Sequence, residues 1–258
     1  MDGVEETMSE LTAIYAMWKR EMIRFFRVKS RIIGSLGMPF LFLAVLGSGL
    51  NGVLNIPGLQ GNYMQFITPG ILGMVLLFNS IFAGVIVITD RQFGFLKETL
   101  VAPVKRSSIV FGKALGGATA AVIQGLLMLA IAMLLGVQVN LAAIPFVLLL
   151  MLLIATGFVS LGLAIASTME DMQAFQLIMN FLVMPLFFLS GGLFPLTTAP
   201  DVVRWLSYID PLTYGVDGLR YLLLGHTVFS IGIDLAVLTV FLIGSTLLAA
   251  HLFGKIEN

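Results

Sequence analysis

Two long runs without a charged residue, Ile71 to Ile88 and Ala114 to Leu135, bracket a charged interval, Asp90 to Lys113 (DRQFGFLKETLVAPVKRSSIVFGK). Each run is close to the roughly 20 helical residues needed to cross a hydrocarbon core about 30 Å thick. In lipid the backbone must satisfy its own hydrogen bonds, so such runs are expected as helices. A polar segment of some two dozen residues between them is too long for a simple turn. It carries five of the fourteen Lys and Arg residues and marks one face of a membrane as the working face. The rest of the chain agrees with a membrane fold. It is 59% hydrophobic and 11% charged, where a soluble domain carries about 25% charge.

Six stretches are long and apolar enough to cross: about Ile32 to Leu50, Phe66 to Thr89, Ala114 to Leu135, Leu141 to Ala166, Phe175 to Leu189 and Ile231 to Leu252. Pro39 permits a kink in the first, and Pro69-Gly70 suggests an irregular start to the second. Small residues at spacing four, Gly112 with Gly116 and Gly117 with Ala121, allow close approach of a neighbouring helix. Such pairs are also common in any Gly-rich apolar sequence. The expected class is an all-α polytopic membrane protein, with residues 32–258 forming one six-span domain.

Two segments do not cross. In residues 1–31, Leu11, Ile14, Tyr15, Trp18, Met22, Phe25 and Phe26 lie near one helical face, with Lys19, Arg20, Arg24 and Arg27 over much of the rest. This predicts an amphipathic helix on the membrane surface. The alternative is a plain extension of the first span. Acidic, then basic, then apolar order with no small-residue cleavage site argues against a signal peptide. Between Leu193 and Gly225, Asp201, Arg204, Asp210, Asp217 and Arg220 prevent a full crossing, and prolines divide the segment into two short helices, Asp201 to Ile209 and Thr213 to Leu224. Trp205, Tyr208, Tyr214 and Tyr221 suit headgroup depth. A helical hairpin over 201–224, dipping into the outer leaflet and returning, is the expected form.

With the N-terminus inside, cytoplasmic segments hold twelve of the fourteen positive residues, leaving Arg204 and Arg220 outside. That bias places both ends in the cytoplasm of a cell membrane. Zero net charge, with positive clusters beside apolar spans, favours contact with lipid headgroups over a nucleic-acid partner.

No enzyme constellation is present. The chain has no cysteine, no HExxH, no GxSxG and no GxxxxGK[ST], so it builds no P-loop of its own, and no cofactor or metal is expected on it. His226 and His251 stand without a ligand set. The middle of every span is charge-free, without the charged pairs expected of a proton-driven pump. Energy is therefore expected from outside, through the charged interval. FLKETLVAP reads as a short amphipathic helix ending before Pro103, with Phe95, Leu96, Leu100 and Val101 apolar and Lys97 and Glu98 facing water. It would seat in a groove on a cytoplasmic partner; a purely anchoring interfacial helix is the alternative. Asp217 is the expected local partner of Arg220, since a buried arginine needs one; direct contact with an exported molecule is the alternative. Glu170 and Asp171 are placed to cap the fifth span, with contact to a partner as the alternative.

The order of these features resembles the permeases of ABC-2 type exporters. The likeness spans nearly the whole chain. It rests on RQFGFLKETLVAPVKRSSIVFGK, on TMEDMQAF, and on PLFFLSGGLFPL followed by IDPLTYGVDGLRYLLLG. It looks most like the drug-resistance and nodulation-factor branch, and more distantly like O-antigen and teichoic-acid exporters. The resemblance implies two permease copies and two separate ATP-binding subunits, which hold ATP and magnesium. ATPase contact would fall on Phe95, Leu96, Lys97, Glu98, Thr99, Leu100 and Pro103. Asp210, Pro211, Tyr214, Asp217 and Arg220 would belong to an outer hairpin or gate. It implies export of an amphiphilic drug, lipid or lipid-like molecule, with a lipid-linked polysaccharide as the alternative. An ion-coupled carrier and a non-transporting scaffold are the other classes, though neither embedded ionisable groups nor an inverted repeat is visible.

Overall fold

The computed structural model describes residues 2–50, 63–95 and 104–255. Every regular element among them is helical. The chain opens with α1 (Asp2–Arg27), breaks at Val28, and continues as α2 (Lys29–Leu41). A π-helical turn, Phe42–Leu46, and a last turn, Gly47–Gly49, extend α2. The π turn begins just after Pro39, where the missing N–H loosens the regular ladder. Next come α3 (Tyr63–Phe82) and α4 (Val85–Gln92), joined by a tight turn at Ala83-Gly84. Then follow α5 (Arg106–Leu134), α6 (Ile144–Ser167) and α7 (Met172–Leu189). Two short helices, α8 (Asp201–Ile209) and α9 (Pro211–Leu224), precede α10 (Ile231–Gly254).

Six of these segments span a membrane: Ile32–Gly49, Tyr63–Gln92, Arg106–Leu134, Leu141–Ser167, Met172–Leu189 and Ile231–Gly254. Span 2 is the axis of the bundle, with 72% of its apolar window buried against 17% for spans 1 and 6. Spans 2, 3 and 4 pack on one another, span 6 lies along span 4, and α9 wedges between spans 2, 4 and 6. Their shared core is aliphatic with a few rings, including Leu72, Leu76, Ile81, Ile154, Phe158 and Phe175.

Two expectations change. Span 2 does not begin irregularly at Pro69-Gly70; helix runs through both from Tyr63. Upstream, the Thr68 hydroxyl donates to the Met64 carbonyl at 2.7 Å. Span 3 starts at Arg106 rather than near Ala114. The polar stretch RSSIVFGK is helical because α1 packs along it, which hydropathy does not register.

Local chemistry sets several helix ends. The Asp171 carboxylate accepts the N–H of Gln173 and of Ala174 at 3.0 and 3.1 Å, capping α7. Asp210 accepts the Leu212 N–H at 2.9 Å, and Pro211 occupies the first position of α9, where its missing donor costs nothing.

Candidate functional site

The helix ends gather into two polar clusters, one at each end of the bundle. At the first, α1 crosses the beginning of span 3. A Cβ at Gly112 would lie 2.7 Å from Met17 Cβ and 2.8 Å from the Ile14 carbonyl, and one at Gly116 would lie 2.6 Å from Glu21 Cβ. The two glycines therefore let α1 approach backbone to backbone, and the helix they admit is the chain's own N-terminal one. Trp18 Nε1 donates to Thr119 Oγ1 at 3.1 Å along the same seam. From α1, Glu10 accepts the Lys105 N–H at 2.9 Å and caps span 3 in place of a local residue. A Ser108 side-chain bond, and then the Lys105 bond, lower the Glu10 carboxyl below its ordinary value.

Asp90, in the last turns of span 2, is the centre of this cluster and is 1% exposed. Lys113 Nζ of span 3 donates to Asp90 Oδ2 at 2.6 Å, and Arg20 Nη2 of α1 donates to Oδ1 at 3.2 Å. Arg24 Nη1 stands 3.6 Å from the same oxygen. One carboxylate thus joins α1 to both spans that flank the charged interval. The Asp90–Lys113 pair lies in the end turns of the two spans, and both its members belong to the charged interval. Next to it Arg91 pairs with Glu170 at 2.8 Å and Gln92 Nε2 donates to the Glu170 carbonyl at 3.0 Å, adding the connection before span 5. Arg106 donates to the Gly254 carbonyl at 2.7 Å and brings in the end of span 6. Glu21, buried beside Asp90, has its carboxyl pushed up by desolvation, against the pull of Lys113 and Arg24.

Among the coupling residues expected from sequence, Phe95 is described. It is half-exposed, and the Arg20 guanidinium lies 6.0 Å from its ring centroid. Leu96, Lys97, Glu98, Thr99, Leu100 and Pro103 lie outside the described residues.

At the opposite end, the segment after span 5 seats on the start of span 2. The Tyr63 hydroxyl donates to the Leu193 carbonyl at 2.8 Å, and a Cβ on Gly70 would meet the Gly192 backbone at 2.4 Å. Arg220 is buried, and Asp217 is a distant partner at 3.9 Å. Its closer contacts are the Gly191 carbonyl, at 2.9 Å from Nη2, and the Phe66 ring, whose centroid is 4.5 Å from the guanidinium carbon. Burial pulls the guanidinium down to about 10, which leaves it charged at neutral pH. Asp217 instead holds the turn after α9, accepting the N–H groups of Val228 and Phe229 at 2.9 Å each and the Thr227 hydroxyl at 2.6 Å. The expected pair is therefore loose, because the backbone offers both residues better partners. The Tyr214 hydroxyl donates to the Tyr208 carbonyl at 2.8 Å and closes α8 onto α9. Asp210, buried at the α8–α9 corner, is pushed up to about 7 by desolvation, while the Leu212 N–H and the Thr213 hydroxyl pull it down.

The sequence reading missed Glu10, Glu21 and Asp90 as functional residues. Arg20 and Arg24, spaced four apart, were the available signal: two cations on one helical stripe call for an acid somewhere.

Between the two clusters lies a groove of about 620 Å³, walled by Met38, Phe42, Phe78, Phe82 and Phe187 of spans 1, 2 and 5. No group of three or more His, Cys, Asp or Glu residues that would hold a metal occurs among the described residues.

Residues 12–224 match the family described as ABC-2 type transporter. The chain is 31% identical over 215 residues to the putative transport permease ycf38 of Cyanophora paradoxa, covering 81% of this chain and 73% of that one. It is 29% identical over 253 residues to the inner membrane transport permease YadH of Escherichia coli K12, covering 94% and 95%. It is 25% identical over 239 residues to nodulation protein J of Rhizobium leguminosarum bv. trifolii, covering 88% and 87%.

Proposed function

This chain belongs to the ABC-2 type transporter family, and on that premise we propose that it forms the membrane path of an ATP-driven exporter for amphiphilic, drug-like or lipid-like molecules. It is the permease subunit of an ABC transport system and is itself non-catalytic. In the proposed assembly two copies of the chain pair with two ATP-binding subunits, which carry ATP and magnesium. The Asp90 end faces the cytoplasm of the cell membrane with both termini, and the α8–α9 hairpin faces out. α1 lies at the inner interface, and the partner engages the interval from Phe95 to Pro103.

The observation that carries this reading is the convergence of α1, span 2 and span 3 on Asp90. A load applied between spans 2 and 3 is then received by a clamped unit rather than by a loose loop. Span 2, the buried axis, leads from that clamp to Tyr63 and Phe66, which touch Leu193 and Arg220 beside the hairpin. The turn at Ala83-Gly84 divides this span into α4, which carries Asp90, and α3, which carries Tyr63 and Phe66, and tightly packed interiors transmit a shift of one such helix to the next. The chain's own contribution is to receive force, carry it and shape the path.

Glu98→Arg tests the proposal. Reversing the charge in the coupling interval is expected to reduce co-purification with the ATP-binding subunit and to abolish stimulation of its ATPase. Assembly and stimulation equal to the unaltered chain would remove the coupling role of this interval.

A further inference from the structure

We propose that the chain binds an anionic lipid from the surrounding bilayer, its acid group in a small polar cavity under α1 and its hydrocarbon in the groove between spans 1, 2 and 5. The proposal rests on the membrane placement of the spans and goes beyond the permease reading.

The polar cavity measures about 40 Å³ and lies between α1, span 2 and span 3, with Glu21, Arg24, Asn79, Gly117 and Gln124 in its wall. That is room for roughly three water-sized groups, enough for a phosphate or carboxylate and too small for a sugar. Asn79 also lines the apolar groove. Its Nδ2 is occupied by the Val75 carbonyl at 2.8 Å, which fixes the side chain where the two spaces meet. A polar chamber and an apolar trough meeting at one residue match the two halves of an amphiphile.

Two residues of the chamber wall carry a buried polar atom without a hydrogen bond. Gln124 is 3% exposed, and its Oε1 has no hydrogen bond. Arg24 Nη1 is buried without one, since Asp90 at 3.6 Å is beyond hydrogen-bond reach. A buried donor left unmade is costly, and more so when charged. The charge balance points the same way. Among the described residues, Arg20, Arg24 and Lys113 gather around two acids, Asp90 and Glu21, and desolvation raises the Glu21 carboxyl. A cationic headgroup would meet uncompensated positive charge; an acid group supplies the missing acceptor. The Gln124 amide turns either its oxygen to a hydroxyl or its NH₂ to the acid.

The test uses the purified full-length chain in detergent with equal amounts of dioleoylphosphatidylglycerol and dioleoylphosphatidylcholine, retained lipid being read by native mass spectrometry. The unaltered chain is expected to retain the anionic lipid by about tenfold over the zwitterionic one, the worth of one charge-assisted bond. Arg24→Gln should erase that preference, while Arg27→Gln, an exposed cation outside the cavity, should keep it. Gln124→Leu leaves the ion pairs untouched and should weaken retention several-fold, so the question stays answerable if the Arg24 variant does not fold. A phosphatidylglycerol with a photoreactive acyl chain should label peptides from spans 1, 2 or 5. Equal retention of the two lipids, a preference that survives both cavity variants, or labelling confined to other spans would each overturn the proposal. Because no ATP-binding subunit is present, none of these results bears on the permease assignment, which the Glu98 variant tests separately.

Discussion

Asp90 is buried and answers three cations on two other helices. Asp90→Asn leaves Lys113, 3% exposed, without its counter-charge. Removing one member of a buried pair costs about 3–5 kcal/mol. Thermal unfolding in detergent should fall by several degrees, and Asp90→Asn with Lys113→Met should recover part of the loss. A single variant as stable as the unaltered chain would show that the cluster is not structural. Asp210 makes a prediction about pH. Its folded-state value, about 7, lies above the ordinary 3.8. The folded chain thus holds a proton that the unfolded chain releases from about pH 4. The stability this group supplies is complete below that pH, declines up to about pH 7, and is level beyond. Asp210→Asn keeps the capping oxygen without the charge, so the variant should melt higher than the unaltered chain above pH 7, the gap closing toward pH 4. Parallel melting curves across that window would contradict the assignment.

The docking of α1 on span 3 is an element-scale event with an element-scale test. Gly112→Leu would drive a side chain into the Ile14 backbone, and overpacking of this kind costs about 1–3 kcal/mol. In a Trp205→Phe background, Trp18 should lose its bond to Thr119 and shift its fluorescence, and α1 should become the first site of proteolysis; an unshifted spectrum would argue against close packing. The elements differ in how far sequence could specify them. Spans and caps are local: length, hydropathy and an acid just before a helix found all six spans and the Asp171 cap, while the Asp210 cap emerged only with the start of α9 at Pro211. The start of span 3 was not local, because Glu10 caps it from 95 residues away. The Asp90 clamp was hidden for the same reason, its Arg20 partner lying 70 residues distant. Arg220 shows the third case, in which the nearest opposite charge in sequence was outcompeted by a carbonyl and a ring that the fold supplied.

At the scale of the whole molecule, an all-α bundle with six spans and a non-catalytic role needs an energy source that its own residues do not provide. Span 2 gives that requirement a geometry, since it is the most buried span and touches the α1 cluster at one end and the hairpin at the other. The sequence pointed to the charged interval as the place where a partner acts, and the structure adds the clamp behind it. The most direct test of the central claim is to co-express this chain with its cognate ATP-binding subunit, purify the assembly, and measure its stoichiometry and ATP-dependent export of amphiphiles in proteoliposomes. Two copies of each subunit, with transport that stops when ATP is withheld, is the predicted result. A well-folded chain that binds no ATP-binding subunit, or that transports on an ion gradient alone, would contradict it.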